Sequence, residues 1–157
     1  MIQVRRASLN DINSLVRFRT ALFKEMKLLE GEQQEKSFQK ACKDYFYEFI
    51  PKQKFLSWIA ENDGEIIAVS GVVFFQKPPS PGNNTGKEAY IMNMYTLTEW
   101  RKKGIASKLL EEIIGFLKRK GITSISLHTT EVGKSVYEKI GFTLVNTEMK
   151  LTIKHNQ

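Results

Sequence analysis

The chain has 157 residues, 41% hydrophobic and 26% charged, with one cysteine and 24 Lys plus Arg against 17 Asp plus Glu. That length can bury one core without staples, a lone Cys42 excludes an internal disulfide, and His128 and His155 are too few and too scattered for a structural zinc site. The net charge of +7 favours an anionic partner, a role that a phosphorylated cofactor fills as well as a nucleic acid does.

No apolar run approaches the roughly 18 residues of a membrane span, and the start, Met1-Ile2-Gln3-Val4-Arg5-Arg6, lacks the apolar stretch of a signal peptide. A cytoplasmic protein with no membrane partner and one domain over residues 1–157 is expected. Residues 2–6 read as a first strand. Ser8 or Asn10 then caps a helix to about Lys27, with Leu9, Ile12, Leu15, Val16, Leu22 and Phe23 as its apolar stripe. A second helix is predicted over 32–50, where Phe38, Cys42, Tyr45, Phe46 and Phe49 recur at helical spacing and Pro51 stops the chain. Cys42 reads as a buried structural thiol.

Residues 55–60 and 65–75 are β-rich, and Asn62-Asp63-Gly64 between them signals a tight antiparallel hairpin. Residues 76–86 carry Pro78, Pro79, Pro81, Gly82 and Gly86, so they form a surface loop inside the domain. A strand follows over 87–97. The helical pattern resumes from Ile105 to Gly121, then come a strand over 122–128, a short helix over 132–140 and two closing strands within 142–151, turning at Asn146. The predicted order is β-α-α-β-β-β-α-β-α-β-β, an α/β (α+β) chain.

The segment from Met94 to Ala106 takes a strand through a basic, Gly-containing loop into a helix. Such a junction traps anions, because the first amides of a helix have no intrahelical partner and sit at the positive end of its dipole. Gly104 leaves room for close approach, Ala106 keeps the helix start open, and Arg101, Lys102 and Lys103 add charge. Alone, three cations before a helix usually read as a solvated face. Neither a G-x-x-x-x-G-K-[ST] loop, nor G-x-G-x-x-G after a strand, nor G-x-S-x-G is present, which disfavours nucleotide triphosphatases, dinucleotide dehydrogenases and the common serine hydrolases.

Arg101-Lys102-Lys103-Gly104-Ile105-Ala106 resembles the [RQ]-x-x-G-x-[GA] acetyl-CoA loop of the GNAT superfamily of N-acetyltransferases, and Tyr137-Glu138-Lys139-Ile140-Gly141-Phe142 is similar to that family's Y-E-K-x-G-F segment. The resemblance implies a mixed, mostly antiparallel central sheet with a splayed strand pair and helices on both faces. It also implies acetyl-CoA as co-substrate, no metal, and acetyl transfer to a primary amine of a small molecule or peptide by direct attack in a ternary complex.

By resemblance, Tyr95, Thr96 and Leu97 present a backbone edge to the pantetheine arm and Lys102, Lys103, Gly104, Ile105, Ala106 and Ser107 hold the pyrophosphate, with Arg101 opening the loop. Thr130 stands where the family often has Asn seven residues before its catalytic Tyr, and Thr130 and Ser135 join the cofactor-binding set. Thr98-Glu99 replace the usual Pro. Tyr137 is the expected general acid, since an ordinary phenol with a pKa of about 10 is protonated at neutral pH. The backbone N–H of Tyr95 or Thr96 is the expected oxyanion donor, and the Tyr95 phenol a relay through water.

The general base stays open. Glu88 and Glu131 read as exposed charge, His128 as a structural residue at a strand end, and Asn93 alternates onto the same face as Tyr95 if its strand is regular. The aromatic stretch 38–49 suggests an apolar wall for the acceptor, and Glu25, Glu30 or Asp44 could draw a cation. A homodimer through edge strands is also expected. The competing function is a non-catalytic basic module for nucleic acid or another anionic partner. Scattered cations and the lack of zinc-finger or RNP-type spacing weigh against nucleic acid.

Overall fold

The protein is described by a computed structural model over residues 1–154; His155 lies outside the described residues. Five strands form one sheet in the order β1-β2-β3-β4-β5. They are β1 (Ile2–Arg6), β2 (Phe55–Asn62), β3 (Glu65–Gln76), β4 (Lys87–Thr96) and β5 (Ser124–Leu127). The first four are antiparallel and β5 pairs parallel to β4. Helices α1 (Ile12–Glu25) and α2 (Glu32–Phe49) cover one face, and α3 (Ile105–Arg119) covers the other; α4 (Lys134–Ile140) follows β5.

Strand β2 shows why its sequence reads as a nearly continuous apolar run. Leu56, Trp58 and Ala60 pack under Leu109, Leu110, Ile113 and Leu117 of α3, whereas Phe55 and Ile59 meet Ile12, Leu15 and Phe18 of α1 and Phe46 of α2. Helices on both faces leave the strand no solvent side. Cys42 is buried in the second of these cores, and burial pushes its thiol up. Asp63 and Gly64, at φ 51° and 83°, make the hairpin turn with both central residues left-handed, the geometry that Asp-Gly favours.

The first helical stretch opens on a reciprocal cap. Ser8 Oγ accepts from the Asn10 amide at 3.3 Å, and Asp11 accepts from the Ser8 amide at 2.7 Å. Arg5 donates to both oxygens of the nearly buried Asp11 at 2.9 Å, and these bonds, helped by Ser8, bring its carboxyl from 3.8 down to about 2. A depressed carboxylate stabilises the fold above its unfolded value, and that stability disappears as pH falls from about 4 to about 2. Asp11→Asn should therefore lower stability at pH 7 by about 2 kcal/mol, roughly 4–8 °C in Tm. Thermal unfolding against pH checks this: the gap to wild type should narrow from about pH 4 and close only near pH 2.

The two closing strands expected within 142–151 are not formed among the described residues. From Thr143 to Lys154 no main-chain hydrogen bond joins the chain to itself, and Leu144, Val145, Met149, Leu151 and Ile153 are exposed. Alternation over 145–153 is a genuine strand pattern, but β-structure needs a partner edge, and β5 is paired only with β4. The remaining expected elements are present, with β5 and α4 each shorter than predicted.

Candidate active site

Because β4 and β5 run parallel, the loops that follow them leave the same end of the sheet, where open α/β sheets bind ligands. Pairing between them stops at Ile91 with Leu127, while β4 continues beside β3 to Thr96. From Met92 onward β4 therefore has one edge with no strand against it among the described residues. Tyr95 and Thr96 lie on that stretch, and Leu97 follows with its amide bonded to the Ile67 carbonyl at 3.0 Å.

The strand is not regular there. Its register against β3 slips between Val69 and Gly71, and Asn93 sits at φ 56°, a bulge of the kind found beside active sites. Asn93 thus does not simply alternate with Tyr95. It is buried, and among the described residues neither oxygen nor nitrogen of its side chain has a hydrogen-bond partner, a cost of about 1–3 kcal/mol for each such group. Sequence reasoning missed this feature, since a bulge is a relation between two strands.

A short turn over Thr98–Trp100 leads into the basic loop, where Lys102 has φ 60° and Gly104 φ 76° before α3 begins. The Arg101 amide bonds the Thr98 carbonyl at 3.2 Å, and the next amide to find a main-chain acceptor is that of Lys108, which bonds the Gly104 carbonyl at 3.1 Å. Among the described residues, the six amides of Lys102, Lys103, Gly104, Ile105, Ala106 and Ser107 find no acceptor. Left-handed residues and a helix start are combined here, an arrangement whose unpaired amides can serve as donors to an anion.

Of the three cations, Arg101 is committed elsewhere. Its guanidinium donates to both oxygens of Glu25 at 2.8 and 2.7 Å and its Nε to the Thr96 carbonyl at 2.9 Å. The Arg101 pairing holds the Glu25 carboxyl below its ordinary value, and burial, then Glu25, raises the Tyr95 phenol. Lys103 lies 4.7 Å from the Trp100 ring centre, and Lys102 is exposed. Glu25 and Asp44, read as attractions for a cation, are paired with Arg101 and Lys40.

Tyr137 lies on α4 against Phe142, with ring centres 6.0 Å apart, and lines a cavity of about 1160 Å³ beside β5. Burial pushes its phenol up, with Tyr90 adding to the shift. Thr130 caps the turn into α4: its carbonyl accepts from the amides of Gly133 and Lys134, and its hydroxyl from Gly133 at 3.3 Å. Ser135 is exposed on α4. The loop residues 101–107 do not line this cavity.

His128 is not the packed strand-end residue expected from its neighbours. It is exposed, its Nδ1 bonds the Tyr90 hydroxyl, and its Nε2 bonds Glu148 at 2.9 Å. All three line the cavity that holds Tyr137. Tyr90 and Glu148 carried no local signal; the parallel register sets Tyr90 opposite Ser126, and Glu148 joins through its bond to His128. Among the described residues no group of three or more His, Cys, Asp or Glu side chains is placed to hold a metal ion, and no helix is long and apolar enough to cross a membrane.

The sequence model of a family described as "Acetyltransferase (GNAT) family" matches residues 23–142. The fold aligns with a predicted acetyltransferase with acetyl-CoA from Clostridium acetobutylicum, 30% identical, covering 97% of this chain and 96% of that one at a TM-score of 0.85. A GCN5-related N-acetyltransferase from Ralstonia eutropha JMP134 is 25% identical, with coverages of 98% and 99% and a TM-score of 0.86. In sequence, the chain is 23% identical over 101 residues to a probable N-acetyltransferase camello from Xenopus tropicalis, a match covering 62% of this chain and 43% of that protein. The match thus spans less than half the length of that curated relative.

Proposed function

Since the chain belongs to the acetyltransferase (GNAT) family, we propose that it transfers an acetyl group from acetyl-CoA to a primary amine of a small molecule or peptide, by direct attack in a ternary complex. The observation that carries this reading is the run of six unpaired amides opening α3, next to the free edge of β4. Pyrophosphate is the anion such a nest suits, and the free edge offers main-chain partners to the amide-bearing pantetheine arm.

In this reading Lys102 to Ser107 bind the diphosphate, and Tyr95 to Leu97 align the arm. A backbone N–H near the Asn93 bulge donates to the carbonyl oxygen as negative charge gathers there. Tyr137 gives its proton to the departing thiolate, a role that its raised pKa favours because the phenol stays protonated through neutral pH. Thr130 and Ser135 border the same end of the sheet. Arg101, held by Glu25, acts by fixing the β4 end through the Thr96 carbonyl.

Two measurements test the reading. Acetyl-CoA at 100 times its Kd should stabilise the protein by about 2.7 kcal/mol, read as a rise in Tm. A panel of polyamines, amino acids, amino sugars and peptides should then show amine-dependent thiol release. Salt-dependent binding of generic DNA or RNA with no stabilisation by acetyl-CoA would instead favour the basic-module function.

A further inference from the structure

An alkyl amine with a pKa near 10 reaches a site at neutral pH as an ammonium, and its nitrogen has no lone pair until a proton leaves. Tyr90, His128 and Glu148 are joined in series on the cavity wall beside Tyr137. A carboxylate only accepts, so Glu148 fixes the hydrogen on His128 Nε2 and leaves Nδ1 with a lone pair, to which the Tyr90 hydroxyl donates. Carboxylate, imidazole and hydroxyl in that order form a proton-abstracting array, with tyrosine at its outer end. Tyr90 precedes by one residue the last rung of pairing between β4 and β5, and His128 follows the end of β5, so the array stands where the two strands part.

Resting on the acetyl-transfer reading, we infer that Tyr90, His128 and Glu148 are the proton relay that converts the acceptor ammonium into the attacking amine. One N–H of the ammonium donates to the Tyr90 oxygen. As that bond breaks, its electron pair stays on nitrogen, the proton joins the phenol oxygen, and the phenol's own proton passes to Nδ1. His128 becomes an imidazolium held by Glu148. The neutral nitrogen then bonds the thioester carbonyl carbon, the C–S pair goes to sulfur, and sulfur takes the Tyr137 proton. The second nitrogen proton restores Tyr137 through water, and the imidazolium releases its own to solvent, giving one proton per turnover.

His128 suits that last step, since its side chain is 68% exposed. Burial, with the charge of Glu148 adding, raises the Tyr90 phenol, so Tyr90 passes a proton on and the imidazole stores it. The other charged groups on the cavity wall are Lys77 and Glu88, paired at 2.7 Å, Lys134 and Glu138, paired at 3.7 Å, and Lys150.

The test uses the full chain with acetyl-CoA and two amines: phenethylamine, an ammonium at neutral pH, and aniline, already neutral. His128→Gln and Tyr90→Phe should each lower kcat/KM for phenethylamine about 100-fold at pH 7. The deficit should close as pH rises towards 10, while aniline turnover and the Kd for acetyl-CoA stay near wild type. In a His155→Gln background, nitrogen-15 NMR should find the remaining imidazole protonated at Nε2 and bare at Nδ1, and Glu148→Gln should reduce that bias. Equal loss on both amines, a loss independent of pH, or an Nδ1–H tautomer overturns the relay. Should neither probe be acetylated, the tautomer decides. A wild-type protein that binds acetyl-CoA but releases no thiol with any panel amine removes the acetyl-transfer reading itself, whereas an active wild type indifferent to His128→Gln removes the relay alone.

Discussion

Replacing Gly104 with valine should raise the dissociation constant for acetyl-CoA by about two orders of magnitude while leaving a folded chain. Gly104 adopts φ 76°, and a Cβ built there meets no protein atom within 4 Å, so the substitution causes no clash inside the protein. What it does carry is the left-handed strain of about 1–2 kcal/mol, felt by the free protein as well. The branched side chain would also occupy the open space in front of the unpaired amides, where phosphate oxygens must come within hydrogen-bond distance. Bonds to charged groups contribute about 1.5–3 kcal/mol each, and each 1.4 kcal/mol is tenfold in Kd. Losing one or two accounts for the expected change. Calorimetry with acetyl-CoA reads it, and Gly104→Ala separates strain from blockage. A Kd that stays put while apo stability drops would take the loop out of the site.

Tyr137→Phe should lower kcat about 100- to 1000-fold with the acetyl-CoA Kd changed less than twofold. Phenylalanine keeps the ring and its edge contact with Phe142, so α4 should dock as before. Only the proton for the leaving sulfur is lost. Because burial raises the phenol, the wild-type rate should hold through neutral pH and fall only where the phenol ionises, beyond the ordinary phenol range. That alkaline limb should be missing in the variant. Parallel losses of binding and turnover would mean that Tyr137 serves packing alone.

The bulge at Asn93 shows where local reading ends. Residues 87–97 carry a strand pattern that predicts regular alternation, yet β4 slips one position against β3. A Cβ added at Gly71 would meet the Phe55 ring at 2.6 Å and the Asn93 Cβ at 3.4 Å, so residues from three strands crowd together at the bulge. Arg101 is similar. Its motif position is plain in the chain, but its partner Glu25 lies 76 residues away, and only the packing of α1 beside the end of β4 joins them. His128 looked structural because its neighbours in sequence are apolar. Its partners are 38 and 20 residues distant.

What the residues alone determined is whatever depends on near neighbours: helix and strand periods, the Asp-Gly hairpin, the loop entering α3, and through the two motifs the family. Those signals are local because turn sterics, capping and side-chain period act within a few residues. The tertiary structure alone decided the parting of β4 from β5 after Ile91, the orphaned Asn93 amide, the Tyr90–His128–Glu148 array and the unpaired course of residues 143–154. Each is a relation between segments far apart in the chain, fixed by which faces must be buried together, and no single segment contains that information.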